Sequence, residues 1–382
     1  MLWGKIYGNL HIVVGATIAC QLLPLPLPNY NFGGIGMPEI DIGKSDNLTT
    51  FWYNPHLCFN ETCVYSPPPT AYGTSLVTNR HQRHIFRDVQ YETEVYEDDS
   101  EPFFATDISG KGTGLVATRD ISKGEIVMVQ IPSLVVQASA HISMADEERE
   151  LLYSAALETL PGSAQREFNN QFGNSITDKI NKNGFTIYLN GERYIACVPK
   201  MAKMNHDCRP NVHYEFNGIQ LTSRAMRRIS EGQELTDTYI RPLQPRVNRQ
   251  HQLLKWGFSC TCTLCKATDD EVAESDSRIA VITQLIQDLT EKREKFDAGS
   301  RLVDLVQQER LDAYLGLAYT RAALSYARFG DKERTISYAK YAVEAITVES
   351  GADHTDALNM KRLAENPEGC ADWARFKSSR GS

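Results

Sequence analysis

Cys260-Thr-Cys-Thr-Leu-Cys265 puts three thiols at metal-ligand spacing, one thiolate short of a four-cysteine site. Free thiols or a disulfide are the plainer alternatives. A further soft ligand, Cys208, lies upstream in Met201-Ala-Lys-Met-Asn-His-Asp-Cys-Arg-Pro-Asn211. That stretch turns abruptly from the apolar Tyr194-Ile-Ala-Cys-Val-Pro199 to the polar cluster Asn205, His206 and Asp207, as a buried segment opening onto a site does. Gly232-Gln-Glu-Leu-Thr-Asp-Thr-Tyr239 reads as a turn and a strand ending in a phenol. Gly110-Lys-Gly-Thr-Gly114 is a glycine-rich loop with no long helix after it, so it is not a dinucleotide fingerprint. Such loops also make ordinary hairpins.

In order and spacing these four segments resemble the SET-domain lysine methyltransferases, above all the SMYD-type branch and its fungal SET relatives. The likeness covers residues 103–266 and, more loosely, the helical region beyond. It implies an α+β fold: small β-sheets, a threaded (pseudoknot) segment, a helical insert at 140–182, a SET domain at 103–240 and a post-SET zinc region at 241–268. By resemblance, Lys111, Gly112, Thr113 and Gly114 lie against the methionine part of S-adenosylmethionine. Asn205 and His206 bind the same cofactor, Asn183 matches a contact position, and Phe258 lies against the adenine. Cys208, Cys260, Cys262 and Cys265 surround one structural Zn2+ that closes a wall of the lysine channel. Asp207 stands where the family has serine and is assigned no catalytic role. The MYND finger of SMYD proteins is missing, since no Cys/His cluster lies between residues 117 and 190.

The activity implied is S-adenosylmethionine-dependent protein-lysine N-methylation. A non-catalytic SET scaffold and a small-molecule methyltransferase are the alternatives. Tyr239 is the expected catalytic residue. Methyl transfer is an in-line displacement, so aligning the amine supplies much of the rate, and a phenol oxygen can hold that amine. Deprotonating a lysine at pH 7 costs roughly 4 to 5 kcal/mol. A dry channel beside a cationic sulfonium lowers that cost, so no general base is expected.

The elements that must position these residues follow from pattern. Leu115-Val-Ala117, Ile126-Val-Met-Val-Gln-Ile131 and Leu134-Val-Val136 are short β-rich runs. Residues 143–160 predict a helix stopped by Pro161-Gly162, and 168–180 a second, before Asn183-Gly-Phe-Thr-Ile187 turns into a strand. Ile279, Ile282, Leu285, Ile286 and Leu289 keep helical rhythm. Two small-residue helices flank Gly330-Asp331, resembling one tetratricopeptide hairpin within a helical region at 275–366. One repeat cannot bury its own face, so it is expected to pack on the SET core. Residues 367–382 read as a tail.

The N-terminal part is of another kind. Leu10 to Leu23 is an uncharged apolar run, too short for a span of about 20 residues but suited to a signal peptide over 1–28. The sequons Asn47-Leu-Thr49 and Asn60-Glu-Thr62 follow, and Cys58 and Cys63 could close a small loop. These features predict the secretory pathway, whereas the family likeness predicts cytoplasm or nucleus. Residues 29–102 read as an extension, with 64–100 a linker of little core. A net charge of −8 removes any global attraction to nucleic acid, and nine unevenly placed cysteines in 382 residues exclude a disulfide scaffold. The partner implied is a lysine-bearing protein met by a monomer with no transmembrane span in its mature form.

Overall fold

The computed structural model describes residues 55–66, 73–82 and 101–378. The signal-peptide-like segment, Asn47 and Pro67-Pro-Pro69 lie outside these residues.

Three strands precede the expected domain: β1 (Leu57–Phe59), β2 (Thr62–Tyr65) and β3 (Ser75–Asn79). Asn60 turns β1 into β2 with a φ of 52°, and a disulfide joins the directly opposed Cys58 and Cys63. Next come β4 (Phe103–Ile108), β5 (Gly112–Ala117), β6 (Ile126–Gln130) and β7 (Leu134–Gln137). The insert comprises α1 (Ala138–Ser143), α2 (Asp146–Glu158), α3 (Gly162–Asn169) and α4 (Ile176–Asn183). Strands β8 (Gly184–Leu189) and β9 (Glu192–Cys197) complete a sheet ordered β1-β2-β3-β7-β9-β8.

Side chains in this sheet alternate between two cores. Cys63, Tyr65, Leu76, Val135, Tyr194 and Ala196 face the main core. Val64, Val77, Leu134, Val136, Ile195 and Cys197 face the insert, packing with Leu152, Tyr153 and Ala156 of α2. Both faces are dry, so the strands read as short apolar runs rather than as polar-apolar alternation. The linker expectation is therefore corrected for the described residues 64–66 and 73–82: β2 and β3 are interior strands, β3 pairing in parallel with β7. The single helix at 168–180 is corrected too. Gly173 adopts φ +144°, and a Cβ there would lie 2.7 Å from the Lys179 amide nitrogen. The chain turns at this close approach, and Ser175 caps α4 by accepting from the Asp178 N–H.

The cleft is framed by β10 (Asn205–His206), β11 (Val212–Asn217), β12 (Gln220–Ala225) and β13 (Glu234–Asp237). They form two small sheets, β10-β13-β5-β4 and β11-β12-β6. The parallel pairing of β10 with β13 brings segments distant in sequence side by side, Asn205 opposite Thr236 and His206 opposite Asp237. Asn211 locks the strap by accepting from the Thr236 N–H at 2.8 Å and donating to the Glu234 carbonyl at 2.9 Å.

After α5 (Arg246–Leu253) and α6 (Thr263–Lys266) the chain is helical: α7 (Asp269–Thr290), α8 (Ala298–Gln308), α9 (Leu315–Phe329), α10 (Lys332–Ser350) and α11 (Thr355–Glu365). The array docks on the strands through ions. Arg209 donates to the Glu309 carboxylate and carbonyl, both at 2.5 Å, and Arg227 pairs with Asp312. Burial alone would raise the Glu309 carboxyl, but Arg209 and Arg278 hold it below its ordinary range. No described helix is long and apolar enough to cross a membrane.

Candidate active site and metal centre

A cleft of about 820 Å³ opens where the glycine-rich loop, the insert, the strap and the post-β13 segment meet. Lys111, Gly112 and Thr113 form one side, and Phe172, Lys182 and Asn183 of the insert another. Asn205, His206 and Tyr239 form the floor, and Trp256, Phe258, Cys260 and Cys262 close the end. Of the sequence-predicted site residues, Cys208 and Cys265 join this wall through the thiol cluster behind it, and Gly114 is the exception. A Cβ at Gly114 would lie 2.6 Å from Ile108 Cγ1 and 2.7 Å from Asn205 Nδ2. Its missing side chain makes room for Ile108 and Asn205, and it does not itself line the cleft.

Tyr239 is pinned at both ends. Its N–H donates to His206 Nδ1 at 3.0 Å, and its hydroxyl donates to the Met204 carbonyl at 2.7 Å. Burial raises the phenol well above its ordinary range, so it stays protonated. With the proton committed to Met204, the oxygen lone pairs are what the phenol can offer a substrate. An acceptor Nδ1 also fixes the His206 tautomer: the ring proton sits on Nε2, 3.5 Å from Cys208 Sγ. Trp256 and Phe258 pack around Tyr239 at centroid distances of 5.7 and 6.2 Å. The Trp256 indole donates to the Lys182 carbonyl at 3.3 Å, tying the closing segment to the insert. Asn183 donates to the Phe172 and Lys179 carbonyls at 2.7 and 2.8 Å, leaving its amide oxygen as acceptor.

Cys208, Cys260, Cys262 and Cys265 gather with all four sulfurs within 4.8 Å of one another. Cys208 Sγ is 4.0 Å from Cys260 Sγ and 3.6 Å from Cys265 Sγ. Zn–S bonds near ~2.3 Å in a tetrahedron require sulfurs ~3.8 Å apart, so the set fits Zn2+. Four thiolates packed this closely would repel one another, and a shared dication removes that repulsion. Gln250 brackets the loop, donating to the Cys260 carbonyl at 2.8 Å and accepting from its N–H at 2.9 Å. Asp207 accepts from the Arg209 N–H at 2.8 Å, which shapes the turn at Cys208.

Residues 112–240 match the SET domain family. That stretch of the chain is a SET domain. It is similar to the histone-lysine N-methyltransferase set5 of Schizosaccharomyces pombe, 26% identical over 72% of this chain and 86% of that protein. Human N-lysine methyltransferase SMYD2 is 27% identical over 43% of this chain and 40% of its own length. Mouse histone-lysine N-methyltransferase SMYD3 is 35% identical over 31% and 28%. The chain thus spans well under half of the two SMYD proteins.

Sequence reasoning missed several residues of the SET site. Glu234, inside the strand ending at Tyr239, accepts from Lys111 Nζ at 2.6 Å and Asn205 Nδ2 at 3.0 Å. Its place just after the Gly232 turn was a usable signal. Arg249, fully buried, faces Cys208 and Cys265, a cation against a thiolate cluster. Nothing in its sequence neighbourhood marks it. Phe172, largely exposed at the cleft rim with Lys182 over its ring at 4.6 Å, belongs to the turn that the continuous-helix reading concealed.

Proposed function

We propose that this chain is an S-adenosylmethionine-dependent protein-lysine N-methyltransferase. The observation that carries the reading is the Tyr239 hydroxyl, held against the Met204 carbonyl inside an aromatic wall on the cleft floor. S-adenosylmethionine, when bound, supplies an electrophilic methyl group on a sulfonium. The chain's residues do the rest. The Tyr239 oxygen accepts a hydrogen bond from the incoming amine and turns its lone pair toward the methyl. Trp256 and Phe258 exclude water, which favours the neutral amine. Lys111, Asn183, Asn205 and Phe258 would hold the cofactor. Cys208, Cys260, Cys262 and Cys265 would hold Zn2+, which ties the strap to the closing segment. The similarity to set5 and SMYD proteins supports a protein substrate.

The test is radiolabelled methyl transfer to histones, lysate proteins and small amines, with Tyr239→Phe as control. Label confined to small amines, or none at all from protein that binds the cofactor, defeats the reading.

We also propose passage through the secretory pathway. The exposed hairpin turn carrying the Asn60-Glu61-Thr62 sequon and the Cys58–Cys63 disulfide support it. A mass shift on glycosidase treatment is expected; an unmodified Asn60 and Asn47 in protein from its own cells would favour cytoplasm or nucleus.

A further inference from the structure

Glu234 has no part in the transfer just described, yet its carboxylate joins two cleft residues. Oε2 accepts from the Lys111 ammonium at 2.6 Å, and Oε1 accepts from the Asn205 amide NH2 at 3.0 Å. β13 and β5 hold it there, with Glu234 opposite Val116 in register. Gly114 leaves the space: a Cβ would lie 2.7 Å from Asn205 Nδ2 and 3.3 Å from Glu234 Oε1. The Lys111 and Glu234 side chains are 31% and 20% exposed, and an ion pair that wet contributes little to folding. Stability does not account for so specific an arrangement.

Chemistry does. An ionised carboxylate can only accept hydrogen bonds, so it decides which end of the Asn205 amide turns toward it. The NH2 end faces Glu234, and the amide oxygen is left as the acceptor that Asn205 offers the cleft. The Lys111 ammonium gives one of its three donors to Glu234 and keeps the others at the same wall. One acidic group thus sets an acceptor and a cation side by side, the pattern complementary to an α-ammonium and an α-carboxylate.

We propose that Glu234 is a positioning residue that sets Asn205 and Lys111 as a joint reader of the amino-acid end of the methyl donor. The proposal rests on the methyltransferase reading and extends it to how the cofactor is recognised. Glutamine at 234 loses the charge that holds Lys111 and can present an NH2 group that flips the Asn205 amide.

Calorimetric titration tests this with two ligands that share a nucleoside: S-adenosylhomocysteine, which has the amino-acid end, and 5′-methylthioadenosine, which lacks it. Glu234→Gln is expected to weaken S-adenosylhomocysteine by about tenfold or more while 5′-methylthioadenosine changes by less than about twofold. Lys111→Met should show the same selectivity, and the double variant should lose less than the sum of the two. Glu234→Asp, which keeps the charge but withdraws it by one methylene, is the second variant should the first fold poorly. Equal loss for both ligands, or unchanged affinity for S-adenosylhomocysteine, overturns the proposal. Wild-type protein that binds neither ligand overturns the methyltransferase reading, and this proposal with it.

Discussion

The six-stranded sheet and the metal lobe behind the cleft are stabilised by opposite means. Each interior strand of the sheet feeds two apolar cores, and β-ladders satisfy its backbone. The buried cluster of the metal lobe consists of Cys208, Ile240, Leu253, Cys260 and Cys262, three of the five being thiols. The thiol cluster, the Asn211 strap and the Arg209–Glu309 clasp do there what apolar area does in the sheet. The region beside the cleft is therefore the one held by thiols and polar contacts rather than by apolar area.

Removing the metal should separate the two most sharply. Chelation or Cys262→Ser is expected to lower methyl transfer by on the order of a thousandfold, because the wall of the channel is folded by its ion. Limited proteolysis should then cut within residues 241–268 and spare the sheet; cleavage of both together would break the comparison. Next, Tyr239→Phe should reduce kcat/KM by about a hundredfold while leaving S-adenosylhomocysteine affinity unchanged, since the hydroxyl acts on the amine.

Arg209→Met leaves the buried Glu309 with Arg278 as its remaining cation and should cost about 3 kcal/mol in urea unfolding, with zinc released at lower denaturant than in wild type. Acid should loosen the insert and the β11-β12-β6 sheet as well. Burial pushes both His141 and His213 down to about 4, so each is neutral in the fold and titrates near 6.5 when unfolded. Their contribution is complete above pH 6.5 and is lost as pH falls toward 4, on the order of 3 kcal/mol for each. Melting temperatures between pH 7.5 and 5 should fall for wild type and flatten for H141N/H213N. The smallest effect is expected from Cys58→Ser with Cys63→Ser. Opening so short a loop should cost about 2 kcal/mol and leave zinc content and cofactor affinity untouched.

The site was legible because its chemistry is written in short spacings. The trio Cys260, Cys262 and Cys265, the run around Asn205 and the strand to Tyr239 each carry their meaning within a short local stretch. The expected helical rhythm around Ile279 and the stop at Gly330 also stand, as α7 and the αL cap of α9. What escaped depends on distant partners. β3 is interior only because β7, far along the chain, lies beside it in parallel, and nothing local announces that pairing. The break at Gly173 is set by contact with the Lys179 backbone. Glu234 and Arg249 gain their meaning from groups that the fold alone brings to them.

The clasp at Arg209 has a wider consequence. The side chain following Cys208 reaches its anion at the far end of α8, so the last third of the chain is no detachable appendage. A fragment trimmed to the strands would leave the Arg209 guanidinium without its carboxylate beside the cysteine loop. Any force or partner that pulls on the helices would be felt, through Arg209 and Arg227, at the segment beside the cleft.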